Sequence, residues 1–347
     1  RMGEKIGRAL DGLLCVYKPA DLSLSALKKN ILKRICVQAN LATDLPRLPE
    51  IDIPIVEEHS SSGALIVVGR KRQIDYTYHP LVVGEMYRTE DIRLEELHRL
   101  ETASSGVCVF GVNDAVDGLE ELRKQQWTNK WRVECVLGRE THKHEIKGKV
   151  TRKEGYEHVN RQKVNKLISK VSGDYRRMAF ELAELEMQNS KAFQIASRGI
   201  PRPKLPGSQL VVNLKLLLFK LPYLAVKIES IGETDAWLRC MINEFGLSLD
   251  TTASPVRLIR KSIGPFLAQH ALLERQLSLQ NIVDNISLTN RLLKEYPYDR
   301  DVVIETVKDT SDEGFSRRKE IMDRMVANEL SQEEFDAMRP AWPRDYV

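Results

Sequence analysis

Three groups of residues could do chemistry. The first is His98-Arg99-Leu100-Glu101-Thr102-Ala103-Ser104-Ser105-Gly106-Val107, where one acid stands beside a histidine and an arginine and ahead of a run of small residues. A carboxylate so placed could serve as nucleophile or base; the plain alternative is a solvated loop glutamate. The second is the stretch from Arg139 to Lys153. It carries Arg139, Lys143, Lys147, Lys149, Arg152 and Lys153, with His142 and His144, against only Glu140 and Glu145. Such a loop could neutralise phosphates, or simply be a solvated face. The third is Cys135 with His142 and His144. These are ligand types for zinc, but no fourth ligand presents itself, so no metal is assigned.

The 347 residues suffice for one large domain or two modest ones, and 42% hydrophobic side chains suffice for a core. The net charge of +4 is compatible with a nucleic-acid partner without requiring one. No apolar run approaches the roughly 20 residues of a membrane helix, so no membrane partner is expected. Five scattered cysteines, Cys15, Cys36, Cys108, Cys135 and Cys240, sit mostly inside apolar runs. They read as small core residues of a reducing compartment, not as a disulfide framework. The chain starts at Arg1, so a targeting peptide cannot be read from it.

The elements that must position these groups follow from pattern. Gly12–Tyr17, Ile51–Val56, Ala64–Val68, Val107–Val112, Trp131–Leu137, Leu182–Met187, Leu210–Phe219, Leu224–Ser230 and Val256–Ile263 read as strands. Ser23 or Ser25 caps a helix with Leu27, Ile31, Leu32 and Ile35 on one face. Asn113 or Asp114 caps another, reaching about Gln125. Val159–Val171 is amphipathic, Ser190–Arg198 is a short helix ended by Gly199, and Thr234–Phe245 is a helix closed by Gly246. Two further helices are expected over Leu267–Leu277 and Gln280–Glu295. This alternation implies an α+β fold, a mixed, mainly antiparallel sheet flanked by helices. Residues 1–295 form one domain. Residues 296–347 are a charged extension, with a short helix near Arg317–Asn328 and a capping box at Ser331 and Glu334. Trp342 and Tyr346 suggest that it docks on its own domain or on a partner.

The first loop resembles the signature of the TruB family of RNA pseudouridine synthases, His-Arg-Leu-Asp-x-x-x-Ser-Gly, with Glu101 at the Asp position. Five other segments match in the family's order. Gly12-Leu-Leu-Cys-Val-Tyr-Lys18-Pro19 is similar to the opening strand. Lys130-Trp131-Arg-Val133 falls where the family has Lys-x-Tyr or Lys-Tyr. Phe193-Gln-Ile-Ala-Ser-Arg-Gly199 resembles Tyr-x-x-Ala-Arg-x-Gly. Leu238-Arg239 with Glu244-Phe245-Gly246 resembles Ile-Arg…Asp-Leu-Gly, and Val256-Arg-Leu-Ile-Arg260…Gly264-Pro-Phe266 resembles the closing strand. The chain also resembles the family's animal mitochondrial branch, on His79-Pro80, Thr251-Thr252-Ala253 and Asn281…Ile286.

The resemblance implies the family's synthase fold without a PUA domain, no metal and no cofactor. It also implies an RNA partner (mitochondrial mRNA, tRNA or rRNA) and a location in the mitochondrial matrix. Glu101 would act at the ribose, Arg239 would pair with it, and Trp131 would stand where tyrosine stacks on the base. His98, Arg99, Lys18, Lys130, Arg139, Lys143, Lys147 and Lys149 would contact RNA. Glu is one methylene longer than Asp, and a misplacement of about 1 Å can cost a hundredfold in rate. Indole N–H donates but cannot accept a proton. Two functions therefore stand open. One is a uridine-to-pseudouridine isomerase with a non-consensus site. The other is an inactive RNA-binding scaffold or assembly factor of the mitochondrial ribosome, with mitochondrial ribosome or RNA-granule proteins met through 296–347.

Overall fold

Two unbroken apolar runs become strands buried on both faces. In β1 (Gly12–Lys18), Leu14 and Val16 enter one core cluster while Leu13 and Cys15 enter the cluster on the opposite face. In β5 (Ser105–Val112), Cys108, Phe110 and Val112 face the first cluster, and Val107 and Val109 face the second. A period of two with both phases apolar is what a strand covered on both faces requires.

The computed structural model describes residues 9–42, 48–186, 188–296 and 298–303. The other strands are β2 (Glu50–Glu58), β3 (Leu65–Ile74), β4 (Leu94–Glu96), β6 (Asn129–Leu137), β7 (Arg139–Thr141) and β8 (Val150–Lys153). They continue with β9 (Ile200–Pro201), β10 (Leu210–Lys220), β11 (Tyr223–Ile231), β12 (Ala253–Ile263), β13 (Phe266–Leu267) and β14 (Val302–Val303). The helices are α1 (Leu24–Ala42), the single turn α2 (Pro80–Val83), α3 (Leu119–Lys124), α4 (Arg161–Leu182), α5 (Ser190–Arg198), α6 (Asp235–Leu247) and α7 (Leu279–Glu295). The chain divides into two units, Arg1–Val303 and Ile304–Val347. The helix and capping box expected beyond residue 303 lie outside the described residues.

The main sheet runs β1-β5-β12-β6-β11-β10, with β4 on β5 and β13 on β12. Every pairing in it is antiparallel except β12 with β5, where Ile259 meets Ser105 and Arg260 meets Gly106. This is the α+β architecture expected from the pattern. Buried Ile282, Ile286 and Thr289 seat α7 on β1, and α4 lies along β10. Tyr296 stands edge-on to Trp127, and β14 pairs with β9, so the 296–303 segment is fixed to the body.

Four sequence expectations fail. Leu182–Met187 is not a strand: α4 runs on through Leu182, and Met187 is outside the described residues. Hydrophobic alternation is weak where an amphipathic helix is ending. Asn113 and Asp114 cap no long helix. Asn113 adopts φ 52° and opens a 3-10 turn, and α3 begins only after Gly118. Leu267–Leu277 forms β13 and two 3-10 turns, held by backbone bonds from Leu272 N to Cys15 O and from Tyr17 N to Leu272 O. Gly246 lies inside α6 instead of closing it. A Cβ there would stand 2.5 Å from Ala253 N, so its bareness lets the helix meet β12.

β2 and β3 form a separate two-stranded ribbon in which every residue but Gly69 is exposed.

Candidate active site

The loop before β5 is held from beneath by two buried cations. Lys18 Nζ donates to the carbonyls of Pro19 (3.0 Å), Leu22 (2.8 Å) and Thr102 (3.0 Å). Arg260 donates from Nε to Val107 O (2.8 Å), from Nη1 to Arg99 O (3.1 Å) and from Nη2 to His98 O (3.3 Å). Burial draws the Lys18 pKa below its ordinary value. Carbonyl dipoles replace the water that these charges lost. Gly106 makes the arrangement possible. At φ 126°, a Cβ there would meet Arg260 O at 2.2 Å, and no side chain could share that crossing of β5 and β12.

α6 supplies the opposite wall. Thr234 caps it by accepting from Trp237 N (3.2 Å). Asp235, buried in the first turn, accepts from Glu101 N through Oδ2 (3.2 Å). One turn on, Arg239 Nη1 donates to Glu101 Oε2. The Arg239 side chain is 12% exposed and that of Glu101 39%, so the pair lies at an opening of the surface. Arg239 Nε and Ser104 Oγ are buried without a hydrogen-bond partner among the described residues. The two positions read as a pair from the sequence are thus together.

Trp131 is elsewhere in function. It is buried in the main core cluster, its ring lies beneath the Arg260 guanidinium (5.4 Å), and its Nε1 donates to Glu233 Oε1 (2.7 Å). A side chain so enclosed presents no face to a nucleobase, which corrects the stacking role read for it. Glu233 also accepts from Asn129 Nδ2 (2.8 Å), and burial raises its carboxyl pKa. Asp235, Glu233 and Arg260 escaped the sequence reading as site residues. Arg260 ends a matched motif and Asp235 follows a good N-cap, but only packing shows that both reach the loop.

Of the expected RNA contacts, Lys18 is enclosed and holds carbonyls, so it cannot meet a phosphate. His98 is half-buried, and burial with the Arg260 and Arg123 charges pushes its pKa down to about 3; it carries no charge near neutrality. Arg99 is exposed and Lys130 half-buried. Arg139 Nε donates to Ser254 Oγ (3.2 Å). β7 and β8 turn the basic stretch into a hairpin whose His142–His144 turn lies against α6. Lys143 and Lys149 are exposed on it, and Lys147 pairs with Asp21 (2.8 Å). Asp21 N in turn donates to Thr102 O (2.8 Å), so the hairpin is tied to the Glu101 loop. Cys135 is buried, with its thiol pushed up to about 12, while His142 is exposed.

Residues 93–234 match the profile of the TruB family pseudouridylate synthase N-terminal domain. Over those residues the chain is similar to the TruB family. It is 26% identical over 275 residues to a mitochondrial pseudouridylate synthase TRUB2 of Xenopus tropicalis, covering 79% of this chain and 84% of that protein. Against the Homo sapiens protein of the same name the identity is 26% over 285 residues, 82% and 86% of the two chains. A chain of an archaeal box H/ACA sRNP Nop10-Cbf5 complex aligns at 13% identity and a TM-score of 0.40, over 85% of this chain and 59% of its own length. The matched profile spans the signature loop, the Trp131 strand, the basic hairpin and α4, and ends at the cap of α6.

Proposed function

We propose that this chain binds mitochondrial RNA at the Glu101–Arg239 opening and isomerises uridine to pseudouridine there. Glu101 acts at the ribose, and Arg239 orients that acid. The ion pair between them, set over a loop fixed by Lys18, Arg260 and Asp235, is the observation that carries the reading. The relatives' printed names, pseudouridylate synthase and mitochondrial, support the reaction and the compartment. Exposed Lys143 and Lys149 supply phosphate contacts beside the opening.

A second reading has its own observation. Trp131 is enclosed and donates to Glu233, so it can neither stack on a base nor take a proton. That favours a chain that binds RNA and converts little of it. One assay separates the two: purified protein with mitochondrial RNA, scored for pseudouridine. We expect conversion that Glu101→Gln lowers at least about a hundredfold while RNA affinity holds. Zero conversion by the wild type, restored by Glu101→Asp with Trp131→Tyr, would leave only the binding role.

A further inference from the structure

The β2–β3 ribbon has two unlike faces. Side chains alternate along β2, and residues directly opposite on the paired strand share a face. The register therefore sets Ile51, Ile53 and Ile55 on one face with Ile66, which stands opposite Glu57. These four isoleucines are 38–44% exposed. On the other face Glu50 and Asp52 flank Arg72 at 3.8 Å each. Toward the tip that second face turns apolar too, with Val56, Leu65 and Val67 exposed. The ribbon is also lopsided in charge. Its tip half carries Glu57 and Glu58 and neither lysine nor arginine, while its base half carries Arg70, Lys71 and Arg72 against Glu50 and Asp52. A lone two-stranded ribbon is marginal in water, and an apolar patch of this kind marks an interaction site.

We propose that the isoleucine face packs on the same face of a second copy of this chain, the two ribbons running antiparallel about a two-fold axis at Ile55. Charge selects this arrangement. Antiparallel stacking lays the acidic tip of one copy over the basic base of the other and brings Glu57 of one beside Lys71 of the other. Parallel stacking would set Glu57 and Glu58 against their own copies. Pairing by edges is disfavoured. Pro54, in the middle of β2, lacks the N–H that a further strand needs. β3 against its own copy would oppose the cluster Arg70-Lys71-Arg72 to itself, and like charges across a sheet repel. The four isoleucines alone are a small patch. The tip's Val56, Leu65 and Val67, and the exposed Tyr76, Tyr78 and Leu81 beyond the ribbon's base where the partner's tip lands, enlarge it. The sum is of the order of the roughly 800 Å² that each partner of a stable pair buries.

The test is the mass of the full chain in solution, followed by analytical ultracentrifugation over a wide range of concentration. The wild type should pass from one chain mass to two. Ile53→Thr with Ile55→Thr removes apolar surface from the centre of the face and keeps β-branched residues in the strand. This variant should dimerise at least about tenfold more weakly, because two side chains are lost from each copy. An unchanged far-ultraviolet circular dichroism spectrum checks that it folds. Glu57→Lys alone and Lys71→Glu alone should each weaken the pair by about threefold or more. The two combined should bring it back, since the reversed charges again meet across the axis. A wild type that keeps one chain mass at every concentration would overturn the proposal and leave the face to an unlike protein. A dimer that the threonine variant leaves intact would also overturn it, as would charge reversals whose combination fails to recover the pair.

Discussion

Arg260 and Arg239 lie on either side of the same loop and do opposite work. Arg260 is buried, bonded to the carbonyls of His98, Arg99 and Val107, and roofs the indole of Trp131. Arg239 meets the one acidic side chain that the loop turns toward solvent. The first spends its charge on backbone that cannot move, and the second offers its charge to something that can be exchanged. The difference teaches where a guanidinium is structural and where it is available. Partner type, a carbonyl or a carboxylate at an opening, decides this more than burial does.

The largest effect should come from breaking the floor. Arg260→Met removes the donors to three carbonyls, and an unsatisfied buried acceptor costs about 1–3 kcal/mol. Urea unfolding should show a loss of at least about 3 kcal/mol. Arg239→Met, by contrast, should cost under about 1 kcal/mol of stability, because a partly exposed pair contributes little, yet abolish conversion of uridine. If both variants lost stability alike, the contrast between floor and opening would be false. Gly106→Ala belongs with Arg260→Met, since its Cβ would collide with the Arg260 backbone.

Much of this arrangement was legible in the sequence. The ordered motifs that resemble the TruB family implied a pairing of Arg239 with Glu101, and the two side chains meet in the structure. The continuous apolar runs marked the two strands buried on both faces, β1 and β5. The enclosure of Lys18 and Trp131 was not legible. Each ends or begins a strand in a motif that pointed to the site, and only the packing of α6 and of the loop above them shows which way they face. The Leu267–Leu277 stretch misled for a similar reason. Its leucines suit a helix, but Leu272 bonds to Cys15 across the edge of β1, and tertiary pairing won over periodicity.

The contrast also has a pH signature. His98 titrates near 6.5 when unfolded and at about 3 in the folded chain. Between those values the unfolded state binds a proton that the folded state refuses, so stability falls as pH drops below about 6.5 and is fully present above it. Melting temperature should decline from pH 7 to pH 5. His98→Gln should flatten that decline, and a slope unchanged by the substitution would place the acid sensitivity elsewhere.

The smallest effect on the fold, and the sharpest on the surface, should come from the hairpin. Lys143, on a turn, and Lys149, just before β8, are exposed. Replacing both with alanine should change stability by no more than about 0.5 kcal/mol, as surface substitutions do. If each neutralises one phosphate, the logarithmic salt slope of RNA binding should fall by about 1.4 to 1.8. Arg260→Met, measured at a temperature where it stays folded, should leave that slope where it was, because its charge never faces the RNA. A slope that Arg260 sets and the hairpin does not would reverse the assignment of the two regions.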